Sequence, residues 1–118
     1  MMRNVLLALM LSTGLAGAAS ASELDGPWSV VIVTQEGDCD PAYRAELTIE
    51  GTRVIYAGGP AAPAGVVGTA SKNGKISIAF KNDQGSLSAS GSMKGQNGSG
   101  TWRASNGCSG RWKADKRS

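Results

Sequence analysis

The residues best suited to chemistry in this chain are three carboxylates in one short loop. Glu36, Asp38 and Asp40 fall within the segment Glu36-Gly37-Asp38-Cys39-Asp40. Carboxylates at this spacing can coordinate a hard cation, or supply a general acid and a general base for hydrolysis. The segment lacks the remaining ligands of an EF-hand loop. We therefore interpret it as a solvated loop beside a cysteine, with a carboxylate-dependent hydrolase as an alternative.

The chain contains no histidine. This excludes Ser-His-Asp triads, Cys-His pairs, histidine-containing zinc sites and a histidine ligand to haem. Two cysteines are too few for a cysteine-only zinc site. We therefore expect neither a metal nor a cofactor, and we predict that the protein is not an enzyme.

Three tryptophans are the residues best suited to contact a ligand. Trp28, Trp102 and Trp112 each occupy the apolar phase of an alternating segment. Exposed indole rings stack on sugars and other planar ligands, whereas a strand tryptophan of a small domain more often packs in the core. Both interpretations stay open on the sequence, and Tyr43 completes the set of candidate ligand-binding residues.

The first 21 residues have the features of a signal peptide. Arg3 precedes an apolar run over 5–11 that is too short to span a bilayer, and Ala19-Ser20-Ala21 has the small-x-small form that signal peptidase cleaves. We predict cleavage before Ser22, which leaves one domain at 22–118, periplasmic or secreted, with no membrane span. The net charge of only +3 does not predict a nucleic-acid partner.

Cys39 and Cys108 are the only cysteines, and both lie in the predicted exported part. An even number of cysteines in an oxidising compartment normally means a disulfide. The rival interpretation, a nucleophilic thiol, needs a base such as histidine. We therefore predict a disulfide between Cys39 and Cys108.

Turn signals recur along the whole predicted domain, and apolar and polar residues alternate between them. The clearest turn signal is Asn73-Gly74, which favours a type I′ hairpin. Eight consecutive short strands close most simply into an all-β, antiparallel up-and-down barrel of the calycin-like kind, with a sandwich as the alternative. Pairing of the last strand with the first would bring Cys108 close to Cys39 at one rim. The predicted strands span 28–33, 43–50, 54–57, 66–70, 75–81, 86–94, 101–104 and 108–113.

The start of the predicted mature chain resembles a family of secreted protease inhibitors. The stretch Glu23-Leu24-Asp25-Gly26-Pro27-Trp28, followed by Cys39-Asp40, is similar to the opening of bacterial inhibitors of serralysin-type metalloproteases. That resemblance implies a small periplasmic eight-stranded barrel whose N-terminal arm, here Ser22, Glu23 and Leu24, enters the protease cleft. The second cysteine stands here at position 108 instead of mid-chain.

A second resemblance covers nearly the whole predicted mature chain. The segments Gly98-Ser99-Gly100-Thr101-Trp102-Arg103 and Cys108-Ser109-Gly110-Arg111-Trp112, with the first strand, are similar to short exported proteins of alphaproteobacteria. This resemblance implies export and a β-rich fold but no mechanism. The sequence therefore predicts a monomeric, exported binding or interaction module whose partner is a small molecule, a glycan or a protein, with protease inhibition as the alternative.

Overall fold

Eight antiparallel strands form a closed barrel in the computed structural model, which describes residues 23–59 and 62–117. The barrel confirms the predicted fold class over the sandwich. The predicted signal peptide and its cleavage site lie outside the described residues. The strands are β1 (Gly26–Glu36), β2 (Ala42–Glu50), β3 (Arg53–Tyr56), β4 (Gly65–Ala70), β5 (Lys75–Asn82), β6 (Gly85–Lys94), β7 (Asn97–Ala104) and β8 (Ser109–Lys116).

Each strand pairs with the strands before and after it in the chain, and β8 closes the barrel against β1. The closing seam runs from Trp28 opposite Lys116 to Glu36 opposite Ser109, with a bulge between Thr34 and Glu36. Closure removes the unpaired edges that an open sheet of these strands would expose. The described part of the chain contains no helix that could cross a membrane.

Most strands are longer than the alternation of side chains predicted, and the largest differences are in β1, which spans 26–36 instead of 28–33, and in β7 and β8. β7 begins at Asn97 instead of 101, because Lys94 pairs with Asn97 and leaves only Gly95 and Gln96 to turn the chain. β8 continues to Lys116 instead of ending at 113, because both β1 and β7 offer it pairing partners along that stretch.

The Asn73-Gly74 turn lies where it was predicted, but its type was wrong. The Gly74 amide donates to the Ser71 carbonyl at 2.9 Å, so Lys72 and Asn73 are the central residues and Gly74 follows them with a φ of 89°. This geometry belongs to hairpin loops in which a glycine bulge follows the turn. Gly74 is required there because a Cβ would lie 2.1 Å from the carbonyl oxygen of Met93.

The Cys39–Cys108 disulfide is present and joins two connections at one end of the barrel. Cys39 lies between β1 and β2, and Cys108 directly precedes β8. The bridge therefore holds the last strand against the first at the seam, as the sequence predicted. Gly37 lies directly against it, since a Cβ at that position would come within 2.7 Å of Cys108.

We predict that removing the bridge with Cys39→Ser and Cys108→Ser together will lower the free energy of unfolding by about 4 kcal/mol, because the unfolded chain regains the freedom of a long closed loop. Urea unfolding of the variant and of the oxidised wild type measures the difference. The reduced wild type is the control and should match the variant. A loss below about 1 kcal/mol would show that strand pairing alone holds the seam.

Candidate functional site

The two ends of the barrel interior are filled differently. At the end where the described chain begins, the inward side chains are buried and form one continuous core. Trp28, Ile49 and Val54 are fully buried there. Leu24, which precedes β1, is 6% exposed and closes this end. We call this end the packed end.

The three tryptophans belong to this interior and not to an exposed rim. Trp28 is 0% exposed, and Trp102 and Trp112 are each 5% exposed. Every indole N–H donates to a backbone carbonyl: Trp28 to Leu24 at 2.8 Å, Trp102 to Val33 at 3.1 Å and Trp112 to Ser90 at 3.2 Å. The polar atom that a ligand would use on each ring is therefore already bonded within the barrel.

Two facing glycines make room for one of these rings. Gly91 of β6 pairs with Gly100 of β7, and the indole of Trp112 lies against both. A Cβ on Gly91 would lie 2.5 Å from the ring carbon Cζ2 of Trp112, and one on Gly100 would lie 2.6 Å from its nitrogen Nε1. The small inward residues that the sequence showed in β6 thus seat a tryptophan.

At the opposite end, beside the disulfide, the inward apolar side chains are only half-buried. They rest on the core below them and stay partly open to solvent. The three aromatic residues that are not tryptophan all lie here, on β2, β3 and β5. We call this end the mouth. Its residues are Ile32, Tyr43, Ala45, Tyr56, Ile78, Phe80, Leu87, Ala89 and Ala104.

Of the four residues predicted to bind a ligand, Trp102 and Tyr43 lie at the disulfide end, and Tyr43 is the one that stays partly open to solvent, because Trp102 is only 5% exposed. Tyr43 is half-buried and lies opposite Ile32 of the neighbouring strand β1. Burial raises the pKa of the Tyr43 phenol above its ordinary value of 10.0, and the nearby negative charge of Asp40 raises it further. The phenol is therefore a neutral hydrogen-bond donor throughout the physiological pH range.

The predicted carboxylate loop forms part of the rim of the mouth. Glu36, Asp38 and Asp40 are all exposed. The Thr34 hydroxyl donates to the Asp40 carbonyl at 2.6 Å, which ties the loop to β1. Within residues 23–59 and 62–117, no group of three histidine, cysteine, aspartate or glutamate side chains could hold a metal ion.

The predicted inhibitor arm is attached to the packed end. Leu24 is buried in the core, and the Glu23 carbonyl accepts a hydrogen bond of 2.5 Å from the Lys116 ammonium group. Asp25 accepts a hydrogen bond of 2.9 Å from the Gly51 amide. Ser22 lies outside the described residues. Insertion of this arm into a protease cleft would therefore require Leu24 to leave the core.

Sequence reasoning did not single out most of the mouth. Ile32, Tyr56, Ile78, Phe80 and Leu87 are not among the candidate site residues that the sequence indicated. These residues share one feature: each is the inward residue nearest, or next nearest, to the end of its strand on the disulfide side. That signal becomes readable only when the order of the strands around the barrel is assumed.

Comparison of the chain with protein-family models, with curated proteins and with solved structures finds no match. The class of the protein therefore follows from its own geometry. It is a disulfide-closed, eight-stranded antiparallel barrel with one packed end and one half-open apolar mouth.

The pKa of Tyr43 should depend on the negative charge of Asp40. We predict that Asp40→Asn will lower the Tyr43 pKa towards 10.0, since one of the two causes of its increase is removed. Ultraviolet titration at the phenolate band, in a Tyr56→Phe background, isolates the Tyr43 signal. In the wild type the raised pKa means that the free energy of unfolding falls as the pH increases above about 10. An unchanged Tyr43 pKa in Asp40→Asn would contradict the placement of the two side chains.

Proposed function

We propose that this protein is an exported, non-enzymatic binding module that takes a small apolar molecule into its mouth. The observation that carries the proposal is the distribution of aromatic residues. The tryptophans fill the interior, whereas Tyr43, Tyr56 and Phe80 remain half-buried at one open end. Binding is favourable when a ligand covers the exposed surface that remains on half-buried apolar side chains, because removing apolar surface from water lowers the free energy.

The composition of the mouth supports a mostly apolar ligand with few polar groups. Ligand sites of this kind combine an apolar lining with a small number of placed polar atoms. Ile78, Phe80 and Leu87 supply apolar surface on β5 and β6. The phenol of Tyr43 supplies a donor whose raised pKa keeps it protonated. An eight-stranded barrel is filled by side chains or holds one small ligand, and we place the ligand at the mouth, where the inward side chains are half-buried.

The frame around the mouth supports binding without large movement. The disulfide joins the loop before β2 to the start of β8 at this end. Asn106 adds a hydrogen bond of 3.0 Å from the Cys108 amide to its side-chain oxygen. A preorganised site loses less conformational freedom when a ligand binds. Export is proposed from residues 1–21, and a disulfide is usual in oxidising compartments.

The mouth should bind the neutral fluorophore N-phenyl-1-naphthylamine, whose emission increases in apolar surroundings. We expect saturable enhancement with the oxidised protein and roughly tenfold weaker binding in Leu87→Glu, because a carboxylate among apolar groups is costly to bury. Val66→Glu is the matched control, since Val66 is 57% exposed and does not belong to the mouth. Thermal unfolding verifies that each variant is folded. No saturable enhancement in the wild type, or equal weakening by both substitutions, would contradict the proposal.

A further inference from the structure

The charges of the described chain are divided between the two halves of the barrel. Residues 23–58 contain seven acidic and two basic side chains, whereas residues 62–117 contain nine basic and two acidic ones. Residues 62–117 form β4 to β8, and seven of the nine basic residues lie on β5 to β8, which are adjacent in the barrel. The modest net charge of the whole chain therefore conceals one strongly basic side.

The basic side chains of these four strands point outward, except that of Lys116, which shares the inward phase of Trp112 and Ala114. Because β5 to β8 alternate between buried and exposed positions, their outward residues form one continuous surface, which we call the cationic wall. Asp115 is its only acidic strand residue. The six cations of the wall, all exposed, are Lys75, Lys81, Lys94, Arg103, Arg111 and Lys113.

These six cations have no ionic partner within the described part of the chain. The ion pair found there joins Arg53 to Glu50, on the other side of the barrel. Lys116, at the end of β8, is instead occupied by the Glu23 carbonyl. Exposed like charges without partners repel one another, so the binding of a polyanion that neutralises them is favoured.

Between the cations lie small hydroxyl side chains. The strand register places Ser88 opposite Arg103, Thr101 opposite Arg111 and Ser99 opposite Lys113. Directly opposed residues have Cβ atoms about 5 Å apart, so each of these hydroxyls lies next to a cation. The remaining outward hydroxyls of β5 and β6 are Ser77, Ser86, Ser90 and Ser92.

The small side chains leave hollows on the wall that the cations border. One hollow, of about 670 Å³, crosses β5 to β8 and includes Ser90, Thr101 and Arg103, with Glu36 at its edge. A second, of about 530 Å³, includes Lys94 and Lys113 together with Asp115. The wall thus offers concave polar surface as well as charge.

We propose that the cationic wall binds an acidic polysaccharide. Carboxylates on the sugar rings complement the six cations, and ring hydroxyls complement the serine and threonine hydroxyls between them. A membrane surface fits less well, because Ala79 is the only apolar side chain on the wall and membrane-binding faces insert large apolar groups. A single-stranded nucleic acid fits less well, because the wall has no aromatic residue on which bases could stack.

The test is binding of the protein to a fluorescein-labelled polygalacturonate oligomer, followed by fluorescence polarisation, with labelled dextran as the neutral control. The variant Arg103→Ser with Arg111→Ser removes two cations from the wall. The matched control, Arg44→Ser with Arg53→Ser, removes the same charge from β2 and β3. We expect about tenfold weaker binding for the wall variant and near wild-type binding for the control, with binding falling as salt increases.

A further variant tests the hydroxyl side chains of the wall. Ser90→Val keeps the charge and suits a strand, and we expect a several-fold loss of polygalacturonate binding because a hydroxyl that bonds the sugar is removed. Binding by Ser90→Val as tight as that of the wild type would overturn the role given to the hydroxyls. Dextran binding equal to polygalacturonate binding would overturn the proposal, as would equal losses in the two arginine pairs. Tighter binding to phosphatidylglycerol vesicles or single-stranded DNA through the same arginines would also overturn it.

Discussion

The structure depends on how its interior is filled. Eight strands enclose a space that side chains can just occupy. In this chain the filling is uneven, because three tryptophans lie in the interior and the other aromatics lie at one end. The indole of Trp112 fits only because Gly91 and Gly100 bring two backbones close to its ring. Each indole N–H bonds a backbone carbonyl, so no ring leaves a buried donor unpaired.

The two proposed surfaces follow from this rigid interior. Leu24 closes the packed end. The disulfide fixes the rim at the other end, so the mouth lies beside the part of the β1–β8 seam that a covalent bond holds together. The outward positions of β5 to β8 need no apolar residue, because closure already buries the inward face. They carry small hydroxyls and cations instead. Strand alternation therefore separates a proposed apolar site at the mouth from a proposed polar site on the wall.

Alternation and turn signals were sufficient to predict eight strands and closure by the last strand against the first, and the two cysteines of the predicted exported part were sufficient to predict the disulfide. The mouth was harder to predict. Trp28 and Phe80 both occupy inward positions, and alternation does not say which of them is covered. That outcome depends on Leu24, whose carbonyl accepts the Trp28 indole N–H at the packed end, and on Gly91 and Gly100, which become neighbours beneath Trp112 only through strand register. The charge of the wall was also hidden, because a net charge does not report which side of a barrel carries it.

One end of the barrel interior is sealed by Leu24, whereas the inward side chains at the mouth are partly open to water. Methyl relaxation in nuclear magnetic resonance spectra, measured with and without a soluble, neutral paramagnetic gadolinium chelate, tests this most directly. We expect strong relaxation enhancement at the methyl groups of Ile32, Ile78 and Leu87 and little at those of Ile49 and Ile76, which are 0% and 2% exposed. Equal protection of both groups would contradict an open mouth and, with it, the proposed binding site.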